Sequence, residues 1–257
     1  MPPKGTPAYD AGMAHPDPAG PRQAGPAYAS TLSESEAERI RRWHHSAYEA
    51  ASAEAASTRT FTYLGTTLVI PPQVHPVTGM SHLLGEAVLA EVRDDDHVLD
   101  MGTGSGVNAI LAASAAARVL AVDINPVAVE TARGNAARNG VEGRVEVRHS
   151  DVFGNVEGRF DLIVFDPPFR WFAPRDLLEA AMTDENYQAM TTFFRNARSH
   201  LSPGGRMLIS FGTSGDLAYL RRLAGEEGFV TRTVAQRSLV KDGWTVDYFV
   251  FRMLQAP

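Results

Sequence analysis

The chain has no cysteine in its 257 residues, which excludes disulfide staples, thiolate metal sites and cysteine nucleophiles. Any chemistry must come from other side chains or from a bound cofactor. The chain also lacks any run approaching the roughly 20 apolar residues a membrane helix needs, and its first residues lack the regions of a signal peptide. The cytoplasm is the expected compartment, with no membrane partner. Excess positive charge is missing too: 24 Lys and Arg stand against 30 Asp and Glu, a formal charge of −6. Such a chain has no global field to attract nucleic acid, so an RNA or DNA partner is disfavoured, although a local basic patch could still bind one. No group of His, Asp and Glu has metal-ligand spacing, so no metal is expected.

Large aliphatics are scarce in residues 1–30, which hold seven of the sixteen prolines. A segment so rich in Pro, Ala and Gly cannot bury enough surface to order itself, and a disordered tail is expected there. Ser33 and Glu36 then form a capping box ahead of an alanine-rich helix reaching about residue 56. Its apolar stripe is Ala37, Ile40, Trp43 or His44, Ala47, Tyr48 and Ala51. Arg39, Arg41, Arg42, His44 and His45 could touch phosphates, but read first as its solvated face. FTYLGTTLVI, residues 61–70, reads as two short strands turning at Gly65, PPQVHPVTGM as a loop, and SHLLGEAVLAEV as a helix from Ser81. Residues 31–80 thus form an N-terminal helix and β-hairpin, a candidate substrate-side cap, ahead of a catalytic domain over 81–257.

From residue 97 short apolar runs alternate with amphipathic helices: strands at HVLDM, RVLAVDI, RVEVRHS, FDLIVF and RMLISF, with helices at 106–117, 126–139, 184–201 and 215–227. TRTVAQ and WTVDYFVFR follow as two strands joined at Lys241-Asp242-Gly243. The expected fold is α/β, a Rossmann-like doubly wound seven-stranded sheet, mostly parallel with an antiparallel C-terminal hairpin.

VLDMGTGSGVNA, residues 98–109, sets Gly102, Gly104 and Gly106 between a strand and a helix, where glycines permit a tight turn and close approach of a ligand to backbone N–H groups. Asp123 ends the next strand, 123 − 102 = 21 residues on, where a carboxylate meets ribose hydroxyls. Asp100, two residues ahead of the turn, opposes a phosphate and suits an ammonium group. Asp151 ends the third strand, placed either to accept from an adenine amine or to cap the loop. FDLIVFDPPF, residues 160–169, closes an apolar strand with Asp166-Pro167-Pro168, a stiff extended corner. Alone, that corner reads as a strand stop.

Together and in this order, these motifs resemble class I S-adenosylmethionine-dependent methyltransferases over roughly residues 60–257. VLDMGTGSG resembles the family's first motif, AVDINP its second, SDVF its adenine-side motif and FDPPF its fourth, which is similar to the (N/D/S)PP(Y/F/W) motif of nitrogen methyltransferases. The hairpin and loop before the first motif, ARGNAARNG and LSPGGRMLISFG look most like the PrmC/HemK family and its "methyltransferase small domain" relatives, which include ribosomal RNA guanine methyltransferases.

The resemblance implies S-adenosyl-L-methionine as cofactor, bound by Asp100, Gly102, Thr103, Gly104, Gly106, Asp123, Ile124, Asp151, Val152 and Asp166. It implies catalysis by Asp166, Pro167 and Phe169, with Pro168, Trp171 and His75 on the substrate side. Trp171, Phe172 and Arg175 fall in a segment able to cover the pocket, and His82 in the loop bordering it; Glu86, Trp244 and Tyr248 read as structural. The implied activity is N-methylation of a planar nitrogen on a protein or small molecule. Release-factor enzymes usually carry NPPY and a longer helical domain, and Asp166 in place of Asn favours an amine, guanidino or base nitrogen over a neutral carboxamide. An RNA base N-methyltransferase of the same fold and a nucleotide-binding oxidoreductase or non-catalytic Rossmann module stand as alternatives.

Overall fold

The computed structural model describes residues 28–54, 56–241 and 243–257. Ser33 and Glu36 cap helix α1 (Glu34–Glu54) reciprocally: the Glu36 N–H donates to Ser33 Oγ at 3.3 Å, and the Ser33 N–H donates to Glu36 Oε2 at 2.9 Å. Strands β1 (Arg59–Tyr63) and β2 (Thr66–Ile70) pair antiparallel. They turn through Leu64 and Gly65, both at positive φ. Helix α2 (Ser81–Glu91) leads into the main sheet.

That sheet is built from β3 (His97–Met101), β4 (Arg118–Asp123), β5 (Val145–His149), β6 (Phe160–Phe165), β7 (Leu201–Gly212), β8 (Phe229–Lys241) and β9 (Trp244–Gln255). Its order is β5-β4-β3-β6-β7-β9-β8. Pairing is parallel from β5 to β7, and β9 runs antiparallel to both β7 and β8. The connecting helices are α3 (Val107–Ala112), α4 (Pro126–Arg138), α5 (Leu177–Ala180), α6 (Gln188–His200) and α7 (Leu217–Glu226). The expected α/β sheet with its antiparallel C-terminal hairpin is therefore the observed one.

Alternation of side chains along each strand splits the core into two layers. Val98, Leu162 and Leu208 join α2, α3 and α4 on one face, while their neighbours Leu99, Ile163 and Ile209 join Phe193, Phe194 and Leu220 on the other. Burying each such side chain contributes roughly 1.5–3 kcal/mol, and burial on both faces explains why these strands are unbroken apolar runs. The chain leaves β3 toward β4 on one side and later returns to β6 on the other. The crevice at the C-terminal ends of β3 and β6 is thus the switch point where open α/β sheets bind ligands.

Several expectations are corrected. Helix α6 starts at Gln188 rather than 184, because a 3-10 turn over Glu185–Tyr187 precedes it with Asn186 and Tyr187 at φ 54° and 50°. The short helix α5 was not anticipated. The folded body begins by Tyr28 rather than Thr31: the Tyr28 hydroxyl and the Thr31 N–H both donate to Asp216 Oδ2, at 3.0 and 2.8 Å. The remainder of the expected tail, residues 1–27, lies outside the described residues. Within residues 31–80, the β1–β2 hairpin packs on α3 and α4, while α1 lines the cleft described below. Among the described residues no helix is long and apolar enough to cross a membrane.

Candidate functional site

The loop between β3 and α3 carries Gly102, Gly104 and Gly106 at φ 67°, 55° and 84°. Two carboxylates hold it. Asp100, only 1% exposed, accepts at Oδ2 from the Thr103 hydroxyl at 2.5 Å and from the Ala109 N–H at 3.0 Å. Asp123 accepts from the Gly104 N–H at 2.8 Å with one oxygen and from the Asn125 N–H at 2.8 Å with the other. Both aspartates therefore brace the loop from adjacent strand ends. Gly106 is fixed by packing, because a Cβ there would meet the Ala132 Cα at 3.0 Å; at Gly104 a Cβ would meet nothing within 4 Å. The loop rests on α4 at one glycine and opens to free space at the other.

Burial pushes the Asp100 carboxyl up to about 7, with the charges of Asp123 and Asp166 adding to the rise and the hydrogen bonds from Thr103 and Ala109 opposing it. Burial likewise raises Asp123, against its own backbone hydrogen bonds. Three carboxylates thus sit at the C-terminal ends of the adjacent strands β4, β3 and β6. Beside Asp123, Ile124 is 57% exposed, an apolar surface at the rim. Asp151 is exposed in the turn after β5. Val152 holds φ 47° with its side chain buried, an unusual conformation for a β-branched residue. The Val152 carbonyl accepts from the buried Ser150 hydroxyl at 2.8 Å.

At the end of β6, Asp166, Pro167 and Phe169 line a cleft of about 480 Å³ with α1 (Trp43, Ala47, Ala51), the loop before α2 (His75, Pro76, Met80), Arg170 and Tyr248. Asp166 is solvent-accessible toward the cleft while protein surrounds it elsewhere. That enclosure raises its carboxyl to about 6, against a hydrogen bond from Ser210. A larger hollow of about 730 Å³ lies at the opposite, N-terminal ends of β3 to β5, where Arg118, Arg144 and Arg159 mix with Glu142 and Glu157. None of the motif residues reaches it.

The family model for the methyltransferase small domain matches residues 79–235. The chain belongs to that family. It is 38% identical over 144 residues to the release factor glutamine methyltransferase of Cereibacter sphaeroides, an alignment covering 50% of each chain. It is 47% identical over 91 residues to the ribosomal protein L11 methyltransferase of an Exiguobacterium species, covering 35% of this chain and 28% of that one. Over 114 residues it is 39% identical to the ribosomal RNA small subunit methyltransferase C of Serratia proteamaculans, covering 44% and 29%. The chain matches half or less of the length of these curated relatives. Among solved structures, the tRNA m1G37 methyltransferase of M. jannaschii shares the fold with a TM-score of 0.59 at 18% identity, covering 78% of this chain and 57% of that one. The T. thermophilus 16S rRNA N2 G1207 methyltransferase does so with a TM-score of 0.56 at 24% identity, covering 78% and 50%.

Within this small-domain frame the substrate-side expectations divide. His75 lines the cleft. Trp171 does not: it packs between Tyr28, Phe172 and Tyr187, with ring centroids 6.2, 4.9 and 6.3 Å away. Phe172 faces His44 at 5.4 Å, and Arg175 pairs with Glu179 at 2.8 Å, so this segment docks on α1 instead of closing over the cleft. Pro168 is half-buried and is not part of the cleft wall. His82 packs against Tyr63, the rings tilted by 44° with centroids 4.5 Å apart.

Sequence reading missed the supports beneath Phe169. The Tyr187 hydroxyl donates to the Phe169 carbonyl at 2.6 Å and accepts from the Asp216 N–H at 2.8 Å. A Cβ on Gly215 would lie 2.0 Å from that same carbonyl. Tyr187 reaches this point from its left-handed turn, and backbone strain of that kind persists only where surrounding contacts enforce it. It missed Tyr248 as well, a cleft residue on β9. The i, i+4 asparagines of ARGNAARNG did carry a signal. Asn135 and Asn139 each exchange two amide hydrogen bonds with β2, at Val69 and at Thr67, and Asn135 also donates to the Ser105 carbonyl at 2.9 Å. Their amides act as a short strand, tying the hairpin to the glycine loop.

Proposed function

We propose that this chain is an S-adenosylmethionine-dependent N-methyltransferase that acts on a planar nitrogen held in the cleft at Asp166. The observation that carries this reading is the trio of carboxylates, Asp100, Asp123 and Asp166, around one crevice at the switch point. Burial is the main cause of the raised pKa of Asp100, and the charges of Asp123 and Asp166 add to it. Such a site suits a cationic cofactor and opposes a pyrophosphate, which disfavours the dinucleotide alternative. The residues present fit the cofactor: free space over Gly104 permits close approach, Asp123 has a carboxylate for ribose hydroxyls, and exposed Ile124 supplies an apolar face for a purine ring. Asp151 and the Val152 backbone would serve the adenine side, and Gly102, Thr103 and Gly106 shape the loop.

When bound, the cofactor supplies an electrophilic methyl group. The protein's part is positional, and orientation of reactants accounts for roughly 7–11 kcal/mol in favourable cases. Asp166 is largely ionised at neutral pH and accepts hydrogen bonds only. Its carboxylate and the Pro167 carbonyl each take one N–H of the acceptor, which fixes the nitrogen's plane. The two prolines prevent these acceptors from rotating away. Phe169, held by Tyr187, offers its ring to the flat group. Asp166 can also receive the proton the nitrogen releases.

The relatives are named for glutamine in release factors, for ribosomal protein L11 and for ribosomal RNA. Nucleic acid is therefore no less plausible a substrate than protein, since a net charge of −6 averages over the whole surface and says little about one cleft. Incubation with methyl-labelled cofactor and, separately, ribosomal subunits, total protein and a small-molecule extract should label one class. Asp166→Ala should abolish that labelling while leaving cofactor affinity within a few fold. If affinity is lost instead, Asp166 belongs to the cofactor site and the clamp is wrong.

A further inference from the structure

Arg170 follows the DPPF corner directly and lines the same cleft. It is 7% exposed. Its side chain makes one hydrogen bond, from Nη2 to Ser214 Oγ at 3.3 Å, and its Nε has no partner among the described residues. The guanidinium also lies 5.8 Å from the Phe169 ring centroid. No carboxylate among the described residues pairs with it. Arg206, also buried, shows the contrast: Asp96 holds it through both oxygens, with Glu91 beside it. A buried guanidinium without counter-charge is costly, and an anion entering the cleft would offset that cost.

The main chain cannot withdraw it. The Arg170 N–H donates to the Met182 carbonyl at 3.4 Å, and its carbonyl accepts from the Asp184 N–H at 2.7 Å. The fork is thus presented at a fixed place, close to the ring that faces the acceptor. Planar guanidinium matches a carboxylate or phosphate through two parallel hydrogen bonds. The cleft's volume, about 480 Å³, is that of a small-ligand site.

We infer that the methyl acceptor carries an oxyanionic group, a carboxylate or a phosphate ester, received by Arg170 while Asp166 and Pro167 hold the nitrogen. This rests on reading the cleft as the acceptor site. One cleft then sorts its ligand by polarity: a hydrogen-bond donor at Asp166, an anion at Arg170, and a flat apolar body between.

The full-length chain loaded with S-adenosylhomocysteine provides the test, with benzoate, phenyl phosphate and aniline as probes at constant ionic strength. Thermal unfolding and calorimetry read the binding. Benzoate or phenyl phosphate should stabilise the protein in a concentration-dependent way where aniline does not, and the stronger of the two identifies the oxyanion. Arg170→Gln should weaken that binding roughly tenfold or more while S-adenosylhomocysteine binds as before. An unchanged anion affinity in Arg170→Gln overturns the inference. So does the absence of any anion response in the unaltered chain, a result that needs no variant to fold. Stabilisation by S-adenosylhomocysteine alone is measured first: its absence refutes the cofactor reading, whereas its presence without an anion response refutes only the role of Arg170.

Discussion

Gly104 and Gly106 are the same residue type in the same left-handed conformation, yet they answer to different constraints. A side chain at either position pays for its positive φ, about 1–2 kcal/mol. At Gly106 a Cβ also drives against the α4 backbone; at Gly104 it enters free space where a ligand would approach. Gly104→Ala should therefore unfold in urea with only that modest loss and yet bind S-adenosylmethionine at least tenfold more weakly, roughly 1.4 kcal/mol or more. Gly106→Ala should lose clearly more stability, and a Gly106→Ala protein as stable as the original would contradict this packing. Asp166 makes a second prediction at this scale. With its carboxyl at about 6, the ionised form needed to accept N–H bonds is depleted as pH falls through that value. With S-adenosylmethionine saturating, the kcat/KM for the acceptor should drop below pH 6, and Asp166→Asn should remove the part of that drop that belongs to Asp166. The glycines and Asp166 were legible as one-letter spacing. Tyr187 and Gly215 were not, because they sit far along the chain and matter only through contact with the Phe169 carbonyl.

Helix α1 is an element whose stripe was readable and whose partners were not. Ile40 and Ala51 of the expected stripe are indeed buried, and so is His44, which belongs to the stripe and not to the solvated face where it was also counted. What they meet is tertiary: His44 Nε2 donates to Glu179 Oε1 at 2.8 Å, Tyr48 donates to Asp176 at 2.5 Å, and Trp43 meets Trp244 edge-on at 5.1 Å. With Glu179 ionised, His44 must carry its proton on Nε2. The Arg175 fork and His44 hold Glu179 down to about 2, and burial lowers the His44 pKa. Both shifts act in one direction. His44 contributes stability that is complete above its ordinary 6.5 and fades as pH falls below it; Glu179 contributes stability complete above its ordinary 4.5 and fades toward about 2. Amide exchange in residues 34–54 should therefore accelerate between pH 7 and pH 4 relative to β3 and β6 at matched intrinsic rates. Equal protection across that range would show that the His44–Glu179 contact does not hold α1. Because α1 forms a wall of the cleft, acid should also weaken acceptor binding before it affects the cofactor.

Across the whole molecule the sheet order places the glycine loop of β3 beside the DPPF corner of β6, although 60 residues of sequence separate Gly106 from Asp166. A ligand bridging that crevice should stabilise the fold as a unit. At a hundredfold excess over its Kd, S-adenosylmethionine should add about 2.7 kcal/mol to stability, raising Tm by roughly 5–10 °C for a domain of this size. NAD should not, and the reverse result would restore the dinucleotide alternative. The sequence by itself determined the alternation of strands and helices, the glycine turn and the rigid acidic corner, because these depend on local periodicity and on the fixed dihedrals of Gly and Pro. Only the tertiary structure decided that Trp171 turns away from the cleft while Tyr248 and an Arg170 with no carboxylate partner among the described residues line it. Those outcomes follow from which distant side chains compete for the same buried volume and charge, and no local pattern encodes that competition.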